Sequence, residues 1–92
     1  TALSRALAHG AAAFRAGERE AAAIAAGARR VLADGGVGAV DYVTCLGPDD
    51  LEPVASVDER TVLAVAARVG ATRLIDNVAL GPGLDGDVRV AG

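Results

Sequence analysis

The sequence predicts an α+β fold in which two N-terminal helices pack on a three-stranded antiparallel sheet. Three observations lead there. Apolar residues recur at helical spacing as far as Gly35-Gly36. Beyond that pair the chain turns to runs rich in Val, Thr and Tyr, which suit strands. The last two runs are separated only by Gly70-Ala71-Thr72, a reversal short enough to imply an antiparallel pair. Helices and strands segregated along a chain give a helical layer on a sheet, not an alternating parallel architecture.

The first helix carries Leu3, Leu7, Phe14 and either Gly10 or Ala11 on one stripe, and Gly17 ends or bends it. A second helix is expected from about Glu18 to Ala33. Glu18 and Glu20 fall in its first turn and Arg29 and Arg30 in its last two, an order that complements the helix dipole. Its stripe is Ile24, Ala28, Val31 and Leu32, and Asp34-Gly35-Gly36 stops it. The alanine-rich faces permit the two helices to approach closely.

The first strand runs from Ala39 to Cys45, followed by the turn Gly47-Pro48-Asp49-Asp50 and the segment Leu51 to Val54. The run from Thr61 to Val69 is apolar on both faces until Arg68, which places it in the middle of the sheet. Arg73 to Leu80 forms the third strand, with Leu74, Val78 and Leu80 on one face and Arg73, Ile75 and Asn77 on the other. Residues 81–92, opening with Gly81-Pro82-Gly83, read as a flexible tail after a domain that spans 1–80. A sheet covered on one face by helices leaves its other face for a neighbour.

Composition bounds the function. A chain of 92 residues holds one core. Apolar residues make up 52%, but 22 of them are Ala and the aromatics are Phe14 and Tyr42 alone, so the core is thin and aliphatic. A partner would add buried surface to such a core. The net charge of −3 gives no basic platform for nucleic acid, and two aromatic rings cannot build a stacking surface. The absence of Lys beside abundant Arg and Ala reads as the imprint of a GC-rich genome. Apolar runs fall short of the ~18–20 residues that span a bilayer. The N-terminus lacks the basic and apolar regions of a signal peptide, and a single cysteine suits a reducing, cytoplasmic setting. Cys45 and His9 stand alone in their kinds, which argues against a disulfide scaffold and a zinc module. Thr1 falls inside the helical pattern, so the chain is expected to be a fragment.

Candidate chemistry is sparse. His9 lies off the apolar stripe and reads as a solvated helical residue. Ser4 has no base within reach on its helix. Cys45 ends a strand without a nearby histidine and reads as a small, half-buried apolar residue. Asp49, Asp50 and Glu52 lack the spacing of a calcium loop and suit a turn. Gly81, Gly83 and Gly86 are followed by neither a lysine nor a helix, so they do not form a phosphate loop. Asp41 and Tyr42 begin a strand, Asp41 as a solvated edge residue. Arg68, Thr72, Arg73, Asp76 and Asn77 crowd the last two strands, where the polar groups satisfy turns and the arginines pair with Asp76 or Asp41. No nucleophile, general base or metal set is assembled.

One run is more specific. Val62-Leu63-Ala64-Val65-Ala66-Ala67-Arg68-Val69-Gly70-Ala71-Thr72-Arg73-Leu74-Ile75-Asp76-Asn77 resembles the closing motif of the pantothenate synthetase (pantoate–β-alanine ligase) family, with Thr72 to Asn77 its most distinctive part. Leu3-Ser4-Arg5-Ala6-Leu7 is similar to the helix that opens that family's C-terminal domain. Val40-Asp41-Tyr42 resembles its first C-terminal strand, and Asp50-Leu51-Glu52-Pro53-Val54 the segment before the second. The likeness covers Leu3 to Leu80.

The resemblance implies a C-terminal, lid-like domain of an enzyme that joins pantoate to β-alanine with ATP and Mg²⁺ through a pantoyl adenylate. It implies an adenylate-forming nucleotidyltransferase and a homodimeric parent, in the pathway to coenzyme A. The Rossmann-like N-terminal domain, its histidine motif and the loop comparable to the KMSKS loop lie outside Thr1. No catalytic, cofactor-binding or metal residue is therefore carried onto this chain, which is expected to be inactive and to bind no cofactor alone. The strand ending after Leu80 departs from the family's more regular one. Two other readings stand beside this one. The first is a stand-alone binding or oligomerisation module; the second is a regulatory domain holding a small metabolite around Gly70 to Arg73.

Overall fold

The computed structural model describes residues 1–82. Two helices, α1 (Ala2–Arg15) and α2 (Ala21–Asp34), precede three strands, β1 (Ala39–Leu46), β2 (Val62–Val69) and β3 (Thr72–Ala79). The strands form one antiparallel sheet in the order β1-β2-β3, so the apolar strand is central as expected. The helices cover one face of it. The tail predicted for residues 81–92 lies outside the described residues from Gly83 onward. Gly81 and Pro82 form a turn, with the Gly81 N–H donating to Glu59 O at 2.9 Å.

Local chemistry explains where the helices stop. Gly17, at φ +112°, follows the last turn of α1. Around it the Glu18 N–H donates to Ala13 O and the Gly17 N–H to Phe14 O. This is a Schellman closure, in which a left-handed glycine turns two amides back onto helix carbonyls. Gly36, at φ +84°, does the same for α2, with Val37 N–H bonded to Leu32 O and Gly36 N–H to Ala33 O. Arg19 reinforces the first closure: its guanidinium donates to Phe14 O at 2.7 Å and stacks 4.0 Å above the Phe14 ring.

The helix starts correct two expectations. Thr1 does not stand inside a helix; it is the N-cap of α1, its hydroxyl accepting from the Ser4 N–H at 3.1 Å. The second helix begins at Ala21, not Glu18, so Glu18 and Glu20 do not supply its first-turn charge. The reason is tertiary. Arg19 O accepts from the Val57 N–H and Ala55 O from the Ala21 N–H, both at 2.9 Å. Arg19 and Glu20 thus run extended against 55–57, and the Arg19 carbonyl and Ala21 amide are satisfied across that contact and not within a helix.

The core lies between the helices and the sheet. Leu7, Ile24, Leu32, Leu63, Val65, Val78 and Leu80 are its largest fully buried side chains. Val31, expected on the buried stripe of α2, is only partly buried at its margin. Where α1 crosses the sheet, Gly10 is closed in: a Cβ there would overlap Leu63 Cδ2. The Gly70-Ala71 reversal is a two-residue hairpin loop, with Val69 paired to Thr72. Gly70 takes φ +62° at its first position, where a II′ turn requires glycine.

Candidate functional site

The register divides the sheet's side chains. Leu63 pairs with Cys45 and Val78, and Val65 with Val43 and Asp76, on the helix-covered face. Ala64 pairs with Thr44 and Asn77, and Ala66 with Tyr42 and Ile75, on the other. The Thr72-to-Asn77 motif is therefore split. Thr72, Leu74 and Asp76 share the helix side, while Arg73, Ile75 and Asn77 share the far side, the alternation expected from sequence.

On the far side, at the hairpin end, Arg68 and Arg73 stand directly opposite each other. Like charges in that relation repel. A bulge between Val40 and Tyr42 sets Asp41 against them. Arg73 Nε donates to Asp41 Oδ2 at 2.8 Å, and Arg68 Nε lies 3.8 Å from Oδ1. Both arginines remain at least half exposed. Among the described residues the Asp41 carboxylate is shared by the two guanidiniums, in a chain whose net charge is −3. Beside this cluster on the far side Ile75 is exposed at 42%, and on the helix side of the same hairpin end Val69 and Leu74 are exposed at 50% and 37%.

Two residues beyond Ile75 on β3, Asn77 is buried and its Oδ1 has no hydrogen-bond partner among the described residues. Its N–H donates to Asp76 Oδ1 at 2.8 Å. A buried acceptor left unpaired costs on the order of 1–3 kcal/mol.

The remaining candidates serve structure. Cys45 is buried on the helix side, and burial pushes its thiol up to about 11, so it is a protonated packing group and not a nucleophile. Ser4 shares the cap with Thr1. His9 is exposed, its ring lying against Gly27 where the helices meet. Asp50 Oδ1 accepts from the Glu52 N–H, and Asp49 pairs with Arg60 at 3.0 Å. Asp58 and Thr61 bond reciprocally: Asp58 Oδ1 accepts from the Thr61 N–H, and Thr61 Oγ1 from the Asp58 N–H. Among the described residues, no group of three or more His, Cys, Asp or Glu is placed to hold a metal ion. No helix among them is long and apolar enough to cross a membrane. A groove of about 590 Å³ lies between the start of α2 and β1, lined by Ala21, Ala25, Val43, Cys45 and Val54 among others. It is open and offers few polar groups that converge.

Sequence reasoning pointed to the arginines and left their partner between Asp76 and Asp41; in the fold Asp41 pairs with both arginines. That reasoning missed the bulge, because Val40-Asp41-Tyr42 looks like ordinary strand. It also missed the exposure of Val69, Leu74 and Ile75. Their signal was an apolar run continuing past the last position the helices cover.

These features define a two-layer α+β domain with one helix-covered sheet face and an ion-paired, partly apolar hairpin end. The model of the family described as pantoate-beta-alanine ligase matches residues 1–79. The pantothenate synthetase of Anaeromyxobacter dehalogenans is 54% identical over 76 residues, 83% of this chain and 26% of that protein. A bifunctional pantoate ligase/cytidylate kinase of Synechococcus elongatus is 42% identical over 78 residues, 85% of this chain and 15% of that protein. In three dimensions, a crystal structure of pantothenate synthetase from Thermus thermophilus matches with a TM-score of 0.79 at 26% identity, covering 88% of this chain and 29% of that one. The chain belongs to the pantoate–β-alanine ligase family. It spans between 15% and 28% of the length of the curated relatives it matches.

Proposed function

We propose that this chain is the C-terminal lid domain of an ATP-dependent ligase that condenses pantoate with β-alanine. One observation carries the reading: nearly the whole chain matches the family, yet it spans about a quarter of a typical relative, 26% for the Anaeromyxobacter protein. A domain of that share, with its polar side chains occupied in caps, turns and one ion cluster, suits a part that covers a site built elsewhere.

In this reading the reaction proceeds through a pantoyl adenylate, whose acyl carbon is then attacked by the β-alanine amine with loss of AMP. ATP and Mg²⁺ belong to the larger part of the enzyme, a Rossmann-like N-terminal domain of the nucleotidyltransferase class. The described residues here do not fit either group: they offer no phosphate loop at a helix start and no metal cluster. No chemical step is therefore routed through this chain. Its contribution is to exclude water. An acyl adenylate hydrolyses readily, and closing a cover over it commits the intermediate to the amine. The parent enzyme is cytoplasmic and homodimeric in this reading.

The test is an assay of the longer protein that contains this chain. ATP-, pantoate- and β-alanine-dependent formation of pantothenate and AMP is expected, and its absence would sink the reading. Calorimetric titration of the 92-residue chain with ATP should show no binding. Tight binding there would contradict the lid role.

A further inference from the structure

The hairpin end joins three properties that seldom occur together on an idle surface. Ile75, beside the arginines on the far face, is one of the few large apolar side chains left exposed among the described residues, at 42%. The two guanidiniums share one carboxylate, Asp41, among the described residues. On the same face as Arg73 and Ile75, Asn77 holds an acceptor without a donor among the described residues. Arginines set among apolar side chains are typical of the anchors of protein interfaces.

We infer that this face, Asp41, Arg68, Arg73, Ile75 and Asn77, docks on the remainder of its own ligase chain. The inference rests on the lid reading. The occupant is that remainder because relatives carry more than twice this chain's length beyond the matched region, 26% of the Anaeromyxobacter protein being matched. Complementarity defines its chemistry. The opposing surface carries a carboxylate for the two guanidiniums, an apolar patch for Ile75, and a donor that the Asn77 amide meets by turning about χ2. Asp41 acts as a positioning residue: it holds both arginines on one side of the sheet, ready for a second carboxylate. Docking thus exchanges a half-exposed ion pair for a buried, charge-matched network.

The test uses the full-length ligase. The double variant Arg68→Glu/Arg73→Glu and the single variant Ile75→Asp are compared with Arg29→Glu/Arg30→Glu, which makes the same charge change on the exposed side of α2. Two readouts are taken: ATP consumed per pantothenate formed, and hydrogen exchange of residues 68–76 with and without ATP and pantoate. The wild type and the α2 control should stay near one ATP per product, with the hairpin amides slowed at least threefold when both ligands are present. The hairpin variants should waste ATP at least threefold and lose that slowing, while melting within a few degrees of wild type. An enzyme that makes pantothenate but shows neither effect would overturn the docking face and leave the ligase reading standing. A wild-type protein that makes no pantothenate would overturn both.

Discussion

Strand β2 passes through two environments. From Val62 to Ala67 every residue is buried, whereas Arg68 and Val69 are exposed. The first stretch is roofed by α1 and braced by strands on both sides. The second extends past the core into the hairpin with Arg73, Leu74 and Ile75. One strand therefore serves stability at one end and offers a surface at the other. Apolar character alone does not mark core here. Val69 is as apolar as Val65, and what separates them is whether a helix lies above.

Variants at the two ends should behave in opposite ways. The widest contrast comes from Leu63→Ala, which empties a fully buried site beneath Gly10. A loss of about 2–5 kcal/mol is expected in urea unfolding. A loss below about 1 kcal/mol would mean that the roofed end is not the stabilising one.

The pH dependence of stability reports on the roofed end through Cys45. Its thiol ionises near 9.0 when unfolded and near 11 when buried, so the folded state holds the proton longer. That contribution is complete below the unfolded value and is lost as pH rises through the folded one, on the order of 2–3 kcal/mol in all. Cys45→Ser should flatten this alkaline limb of a denaturation series. In the native protein, the thiol should react slowly with a disulfide reagent at about pH 8, below both values.

A smaller effect is expected at Gly10. The Gly10→Ala variant forces Leu63 and α1 apart and should cost about 1–3 kcal/mol, read as a lowered melting temperature. If it were neutral, the helix would not sit as close to β2 as the structure places it.

The smallest change in stability belongs to the exposed end. Arg73→Ala breaks the 2.8 Å pair with Asp41, yet both partners are open to solvent, so about 0.2–1 kcal/mol is expected. Its thermal transition should be nearly unchanged in isolation. A loss comparable to that of Leu63→Ala would erase the distinction between the two ends.

Much of the molecule was legible because its signals are local. Gly17 and Gly36 stop helices through their own φ angles, and the period of Leu3, Leu7 and Phe14 marks a buried helix stripe without reference to distant residues. Continuous apolar character placed β2 in the centre, and the short reversal set its pairing with β3. The site was less legible. Arg68 and Arg73 were found as neighbours across a hairpin, but Asp41 comes from 32 positions away and reaches them only through its bulge.

The fold class, the helix ends, the central strand and the family likeness were all written in the order of residues, since each depends on spacing and turn chemistry within a short window. The start of α2 was not, because the Arg19 carbonyl and the Ala21 amide bond to Val57 and Ala55 instead of extending the helix backward. Packing in three dimensions also set Asp41 between two arginines and left Asn77 Oδ1 without a donor among the described residues. Those outcomes turn on hydrogen bonds between segments far apart in the chain, and no local pattern encodes them.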